Sequence, residues 1–130
     1  MLEKTQDGAS IVVCNTCRFS AETRENTDGH RGGALLLEQL RLHASDIVIE
    51  EMPCLFNCEQ YCSVHLRAPA KIGYVLGRFR PTQEAAEAIL AFFRLYRNSE
   101  FGSVAYSQWP DGVKGHFIVR VPPPGHVVKP

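Results

Sequence analysis

Five cysteines in two short-spaced groups restrict what this 130-residue chain can fold into. The first group is Cys14-x2-Cys17, and the second is Cys54-x3-Cys58-x3-Cys62. Each group directly follows a run that predicts a strand, Ile11–Val13 in the first case and Asp46–Met52 in the second. Strands that are neighbours in one sheet would bring both groups to the same edge. The pattern therefore predicts a sheet with two cysteine-bearing loops at one end.

Clustered cysteines in a reducing compartment indicate metal or redox chemistry rather than a disulfide framework. The first ten residues, MLEKTQDGAS, lack the apolar segment of a secretory signal, and no apolar run approaches the about 18 residues of a membrane span. We therefore expect a soluble cytoplasmic protein. Two short-spaced groups of thiolates suit a soft metal, and the spacing alone allows zinc as well as an iron–sulfur centre.

The charge balance argues against nucleic acid and membrane partners. Fourteen basic and fourteen acidic residues cancel, whereas binding to phosphate or anionic lipid needs a positive excess. Arg67, Lys71, Arg78 and Arg80 lie near the predicted hairpin and are candidates for a basic patch beside the cysteines, suited to an acidic redox partner, although such charges are more often a solvated face. The histidines are scattered, and only His30 is a candidate ligand.

The remaining pattern predicts one α/β domain over residues 11–100, preceded by a flexible N-terminus, 1–10, and followed by an extension, 101–130, with a mobile tail. A polar, Gly-rich loop spans Arg18–Gly33. The predicted helices are Ala34–His43 and Thr82–Asn98. The later predicted strands are Ser63–Ala68, Ile72–Phe79 and His116–Val121.

A thioredoxin-like redox pair is an alternative for Cys14 and Cys17, because a C-x-x-C motif follows a strand. In such enzymes a helix N-terminus lowers the pKa of the nucleophilic cysteine. Here more than a dozen loop residues precede the predicted helix. That separation disfavours a thiol–disulfide oxidoreductase.

The order strand, cysteine loop, helix, strand, Cys54-Leu55-Phe56-Asn57-Cys58, hairpin and helix resembles the thioredoxin-like [2Fe–2S] ferredoxins over Ile11–Phe93. The resemblance implies a thioredoxin-like α/β fold with a mixed sheet. It also implies a [2Fe–2S] cluster held by Cys14, Cys17, Cys54 and Cys58. The family spaces its first two cysteines more widely, so Cys62 is the natural substitute for Cys17.

The stretch Cys58–Gly77 is more similar still to an uncharacterised bacterial family of predicted metal-binding proteins, often associated with cobalamin-biosynthesis genes. Together the two resemblances imply one-electron transfer with a redox partner protein, in a cobalamin or metal-homeostasis setting. No residue is expected to act as an acid, a base or a nucleophile, so the protein would be a carrier rather than an enzyme. A zinc-binding scaffold or carrier is the alternative. Free-standing ferredoxins of this type are typically dimers, which makes a homodimer an option here.

Overall fold

A computed structural model describes residues 2–56 and 58–129, without the side chain of Cys58. The sheet strands are β1 Ser10–Cys14, β2 Ile49–Met52, β3 Val64–Arg67, β4 Gly73–Leu76 and β5 Phe117–Val121. The helices are α1 Gly32–His43 and α2 Gln83–Asn98, and short 3₁₀ turns cover Cys58–Gln60 and Tyr106–Gln108. No helix in the described part of the chain is long and apolar enough to cross a membrane.

The five strands form one mixed sheet in the order β2-β1-β3-β4-β5. β1 and β2 are parallel, and α1 makes the crossover that a parallel pair requires. The other pairs are antiparallel, with β3 and β4 forming the predicted hairpin. The predicted thioredoxin-like α/β fold, with a mixed sheet and two main helices, is confirmed.

One face of the sheet packs against both helices and forms the core. Ile11 and Val13 of β1 lie opposite Leu66 and Val64 of β3, and none of the four side chains is exposed. Such burial stabilises by about 1.5–3 kcal/mol per large apolar side chain. The alternating residues of β1 and β3 therefore anchor the edge from which the cysteine loops emerge.

The segment after α2 adds β5 to the sheet and an aromatic cluster to the core. The ring of Tyr74 on β4 lies 5.4 Å from that of Phe92 on α2 and 6.3 Å from that of Trp109, all edge to face. The indole N–H of Trp109 donates to the carbonyl of Val104 at 2.9 Å, which satisfies its polar atom. This segment is thus packed on the domain.

The four strands after β1 are all shorter than predicted, β2 and β4 by the most. β2 begins at Ile49 rather than Asp46, because the parallel register pairs Ile11 with Ile49 and β1 begins at Ser10, so Asp46 and Ile47 have no partner on β1. β4 ends at Leu76 rather than Phe79, because Arg78 adopts a positive φ of 62° and its N–H donates to the Tyr61 carbonyl at 2.7 Å. The bond from Arg78 to Tyr61 ties the end of the hairpin to the second cysteine loop.

Candidate metal centre

The cysteine loops leave one edge of the sheet, as the pattern predicted. Cys14 is the last residue of β1 and pairs with Met52, the last residue of the parallel strand β2. Cys54 follows two residues later. Cys62 lies two residues before β3, which runs antiparallel to β1 and therefore starts at the same edge. The topology thus places both cysteine groups together.

The start of α1 packs directly on the first cysteine turn. The N–H of Gly33 donates to the carbonyl of Cys17 at 3.2 Å. A Cβ atom at Gly33 would lie within 3.0 Å of the Cys14 carbonyl oxygen. A Cβ atom at Gly32 would lie equally close, within 3.0 Å, to the carbonyl oxygen of Arg18. The two glycines are therefore what allows helix and turn to touch. The long loop folds back, so a helix N-terminus adjoins the cysteines after all.

Cys14 and Cys17 are neighbouring thiols, and their interaction favours the thiolate form of Cys14 over that of Cys17. The Cys17 thiol donates to the Cys14 sulfur, and this bond, helped by the backbone N–H of Leu55, lowers the pKa of Cys14 to about 5. The same bond, together with burial, raises the pKa of Cys17. Leu55 belongs to the second loop, so the two loops meet at the Cys14 sulfur.

Cys62 is the third thiol of this cluster. Its side chain is fully buried, and its thiol donates to the carbonyl of Arg18 at 3.7 Å. Burial raises the pKa of Cys62 to about 12, and the nearby charge of Cys14 adds to that effect. The N–H of Ser63 donates to the Cys17 sulfur at 3.5 Å. Cys62 therefore lies as a neighbour of Cys14 and Cys17, on the side of β3.

The second loop has an unusual backbone. Cys54, Phe56 and Cys62 all have positive φ angles, of 129°, 60° and 54°, which non-glycine residues rarely adopt. The N–H of Phe56 turns back to donate to the Cys54 sulfur at 3.3 Å. Backbone strain of this kind costs of order 1–3 kcal/mol per residue and tends to cluster at functional sites. The loop geometry thus marks the same region that the cysteines do.

A family model described as "Protein of unknown function (DUF1636)" matches residues 11–123. The chain belongs to the DUF1636 family. Comparisons with curated proteins and with solved structures found no match. The DUF1636 region begins at the second residue of β1 and ends just beyond β5, so it contains every cysteine and all of the sheet except Ser10. The family description assigns no function.

Of the predicted ligands in this DUF1636 chain, Cys14 and Cys17 lie in contact and Cys54 lies half-buried in the adjoining loop. The side chain of Cys58 lies outside the described residues. Among the side chains that are described, no group of three or more His, Cys, Asp or Glu residues is arranged about a common metal position. The thiols of Cys14, Cys17 and Cys62 lie close enough to affect one another's pKa. His30 is exposed in the loop before α1.

The four residues of the candidate basic patch lie at opposite ends of the hairpin and not together beside the cysteines. Arg67 lies at the turn end, away from the cysteines, in a 3.1 Å ion pair with Glu50. Lys71, at the same end, donates to the Arg97 carbonyl at 2.5 Å. Only Arg78 and Arg80 follow β4 at the cysteine end, because β4 runs antiparallel to β3.

Three features of the site were missed from the sequence: the hydroxyl of Thr16, the amide of Leu55, and the packing of Gly32–Gly33 on the turn. Backbone donors leave no signature in a sequence. The glycine pair did carry a signal, since two glycines at a helix start are poor helix formers and need a reason to be there. Close approach of the helix to the cysteine turn is that reason.

Proposed function

We propose that the protein holds a [2Fe–2S] cluster at this edge of the sheet and transfers single electrons between partner proteins. The observation that supports this most is that Cys14, Cys17 and Cys62 lie together at one edge of the sheet. The second cysteine loop, which carries Cys54, reaches the same place through the Leu55 N–H at the Cys14 sulfur. The proposed ligands are Cys14, Cys17, Cys54 and Cys58, with Cys62 as the substitute for Cys17.

The chemistry of the donors fits such a centre. Cys14 is 3% exposed, and a buried thiolate needs compensating positive charge or strong hydrogen bonds. The groups found to stabilise its charge are thiol, hydroxyl and backbone donors, and no lysine or arginine of the described chain is among them. A metal ion bound by Cys14 and Cys17 would supply that positive charge, and Cys17 would have to lose its proton to bind it.

The chain's own residues would hold and tune the sulfurs. The Ser63 N–H at Cys17 and the Phe56 N–H at Cys54 already point at sulfur atoms, and hydrogen bonds of this kind set the potential of a cluster. A bound [2Fe–2S] cluster would supply the one-electron chemistry. Phe56 is 94% exposed beside the site and offers a partner an apolar contact where electrons enter and leave.

Anaerobic purification followed by iron, sulfide and zinc analysis and absorption spectroscopy tests this proposal. We expect a red-brown protein whose visible bands bleach with dithionite. A colourless protein with stoichiometric zinc would refute it and favour the zinc scaffold or carrier. On the resemblance described above, we place this activity in a cobalamin or metal-homeostasis setting.

Serine substitutions assign the ligands. We expect Cys14→Ser, Cys54→Ser and Cys58→Ser to lose the cluster. Cys62→Ser is the matched control for Cys17→Ser, because both side chains are buried in the same thiol cluster. We expect loss with Cys17→Ser and retention with Cys62→Ser, and the opposite result would make Cys62 the fourth ligand.

A thiol–disulfide oxidoreductase is the second candidate, and the low pKa of Cys14 favours it. In that reaction the Cys14 thiolate attacks a substrate disulfide and releases one substrate thiolate. Cys17 then displaces the second, leaving a Cys14–Cys17 disulfide and a reduced substrate. An insulin-reduction assay with thiol-trapping mass spectrometry distinguishes this activity, since a metal-loaded electron carrier would be inactive in it.

A further inference from the structure

The hydroxyl of Thr16 lies beside the Cys14 sulfur. Its Oγ1 atom is 3.8 Å from the Cys14 sulfur, within hydrogen-bond range for sulfur. The other donors at Cys14 are a cysteine thiol and backbone N–H groups. Replacing the Thr16 side chain therefore removes one hydrogen bond to the Cys14 sulfur while every cysteine is kept.

The turn holds Thr16 in this position. The N–H of Cys17 donates to the Cys14 carbonyl at 3.5 Å, which closes the turn across Thr16. The guanidinium of Arg31, at the start of α1, donates to the Thr16 carbonyl at 3.0 Å. The backbone of Thr16 is thus bound to the helix, while its exposed side chain faces the Cys14 sulfur.

We propose that Thr16 is a positioning residue that raises the reduction potential of the centre bound at Cys14, by donating its hydroxyl proton to the Cys14 sulfur. This inference rests on the proposed function. A metal-bound thiolate has no proton, so Thr16 must be the donor. The bond stabilises negative charge, and it does so more strongly after one electron is added. Removing it should therefore lower the potential.

The test compares Thr16→Val, which keeps the shape and loses the hydroxyl, with Thr16→Ser, which keeps the hydroxyl. Midpoint potentials are measured in anaerobic titrations with dithionite and mediators, followed by absorption. For a hydrogen bond that is about 1 kcal/mol stronger to the reduced centre than to the oxidised centre, the reduced-to-oxidised ratio at a fixed potential should fall about fivefold in Thr16→Val. At about 59 mV per tenfold change that is a drop of about 40 mV, and Thr16→Ser should remain at the wild-type value.

Thr23→Val is the matched control, because Thr23 is an exposed threonine of the following loop whose hydroxyl contacts Ser20. Equal potentials in wild type and Thr16→Val, with full cluster content, would overturn the inference while leaving the proposed function intact. If Thr16→Val and Thr16→Ala both fold but hold no cluster, Thr16 is needed for assembly and the inference is also overturned. A wild-type protein without a cluster would instead refute the proposed function itself.

Discussion

Replacing Gly33 by alanine should destabilise the protein, although alanine is normally the better helix residue. Gly33 is the second residue of α1, where the intrinsic preference for alanine is worth up to about 1 kcal/mol. Its Cβ atom, however, would lie within 3.0 Å of the Cys14 carbonyl oxygen. This oxygen belongs to the backbone at the end of β1, so it cannot rotate away as a side chain would.

The helix start must then move off the turn, which strains or breaks the bond from the Gly33 N–H to the Cys17 carbonyl. Overpacking of this kind costs about 1–3 kcal/mol, and a rigid backbone contact belongs at the upper end. After the helix preference is subtracted, we expect a net loss of about 2 kcal/mol in the free energy of unfolding. This corresponds to about 8 °C in Tm for a chain of this size.

Urea denaturation of the reduced, metal-free protein, followed by circular dichroism, measures this loss. Ala34→Gly is the control at the next, exposed position, where only the helix preference of up to about 1 kcal/mol should be lost. A Gly33→Ala variant as stable as wild type, or more stable, would refute the close packing of α1 on the cysteine turn.

Two further predictions concern α2 and the charge at Cys14. Thr82→Ala should lower the free energy of unfolding by about 1 kcal/mol in urea denaturation, because the Thr82 hydroxyl accepts a hydrogen bond from the Ala85 N–H at 3.2 Å and caps α2. Thr82→Ser should retain the cap. Equal stability of Thr82→Ala and wild type would contradict the capping role. In the reduced, metal-free protein the free energy of unfolding should rise between about pH 5 and pH 9. The pKa of Cys14 is lowered from 9.0 to about 5 in the folded protein, so across that range the Cys14 thiol is protonated in the unfolded chain and ionised in the folded one. Cys14→Ser should flatten this rise, and an unchanged slope in that variant would contradict the low pKa.

Local patterns in the sequence predicted the main elements of the fold well. α2 was predicted almost to the residue, because Pro81 and Thr82 mark a helix start and the apolar positions from Ala86 to Tyr96 repeat with helical spacing. The same use of local apolar pattern predicted β2 to begin three residues too early, at Asp46 instead of Ile49. A strand ends where its partner ends, and the register of β2 against β1 is a property of the sheet that no local pattern contains.

The candidate site was predicted in outline only. Strand order sufficed to place Cys14 and Cys54 at one edge. It did not show that Cys17 and Cys62 both adjoin Cys14, because their positions depend on how the two loops fold back. The separation of α1 from Cys17 along the chain also suggested that no helix start adjoins the cysteines. The intervening loop in fact returns to the cysteine turn and brings the start of α1 against it.

Because the cysteines come from loops on either side of α1 and β2, the site cannot exist before the sheet does. In an unfolded chain the two groups would be separate, weak metal sites, and only the pairing of β1 with β2 and β3 joins them. If the proposed centre is bound here, its loading would report completed folding, and a chain arrested before β3 has paired would remain empty.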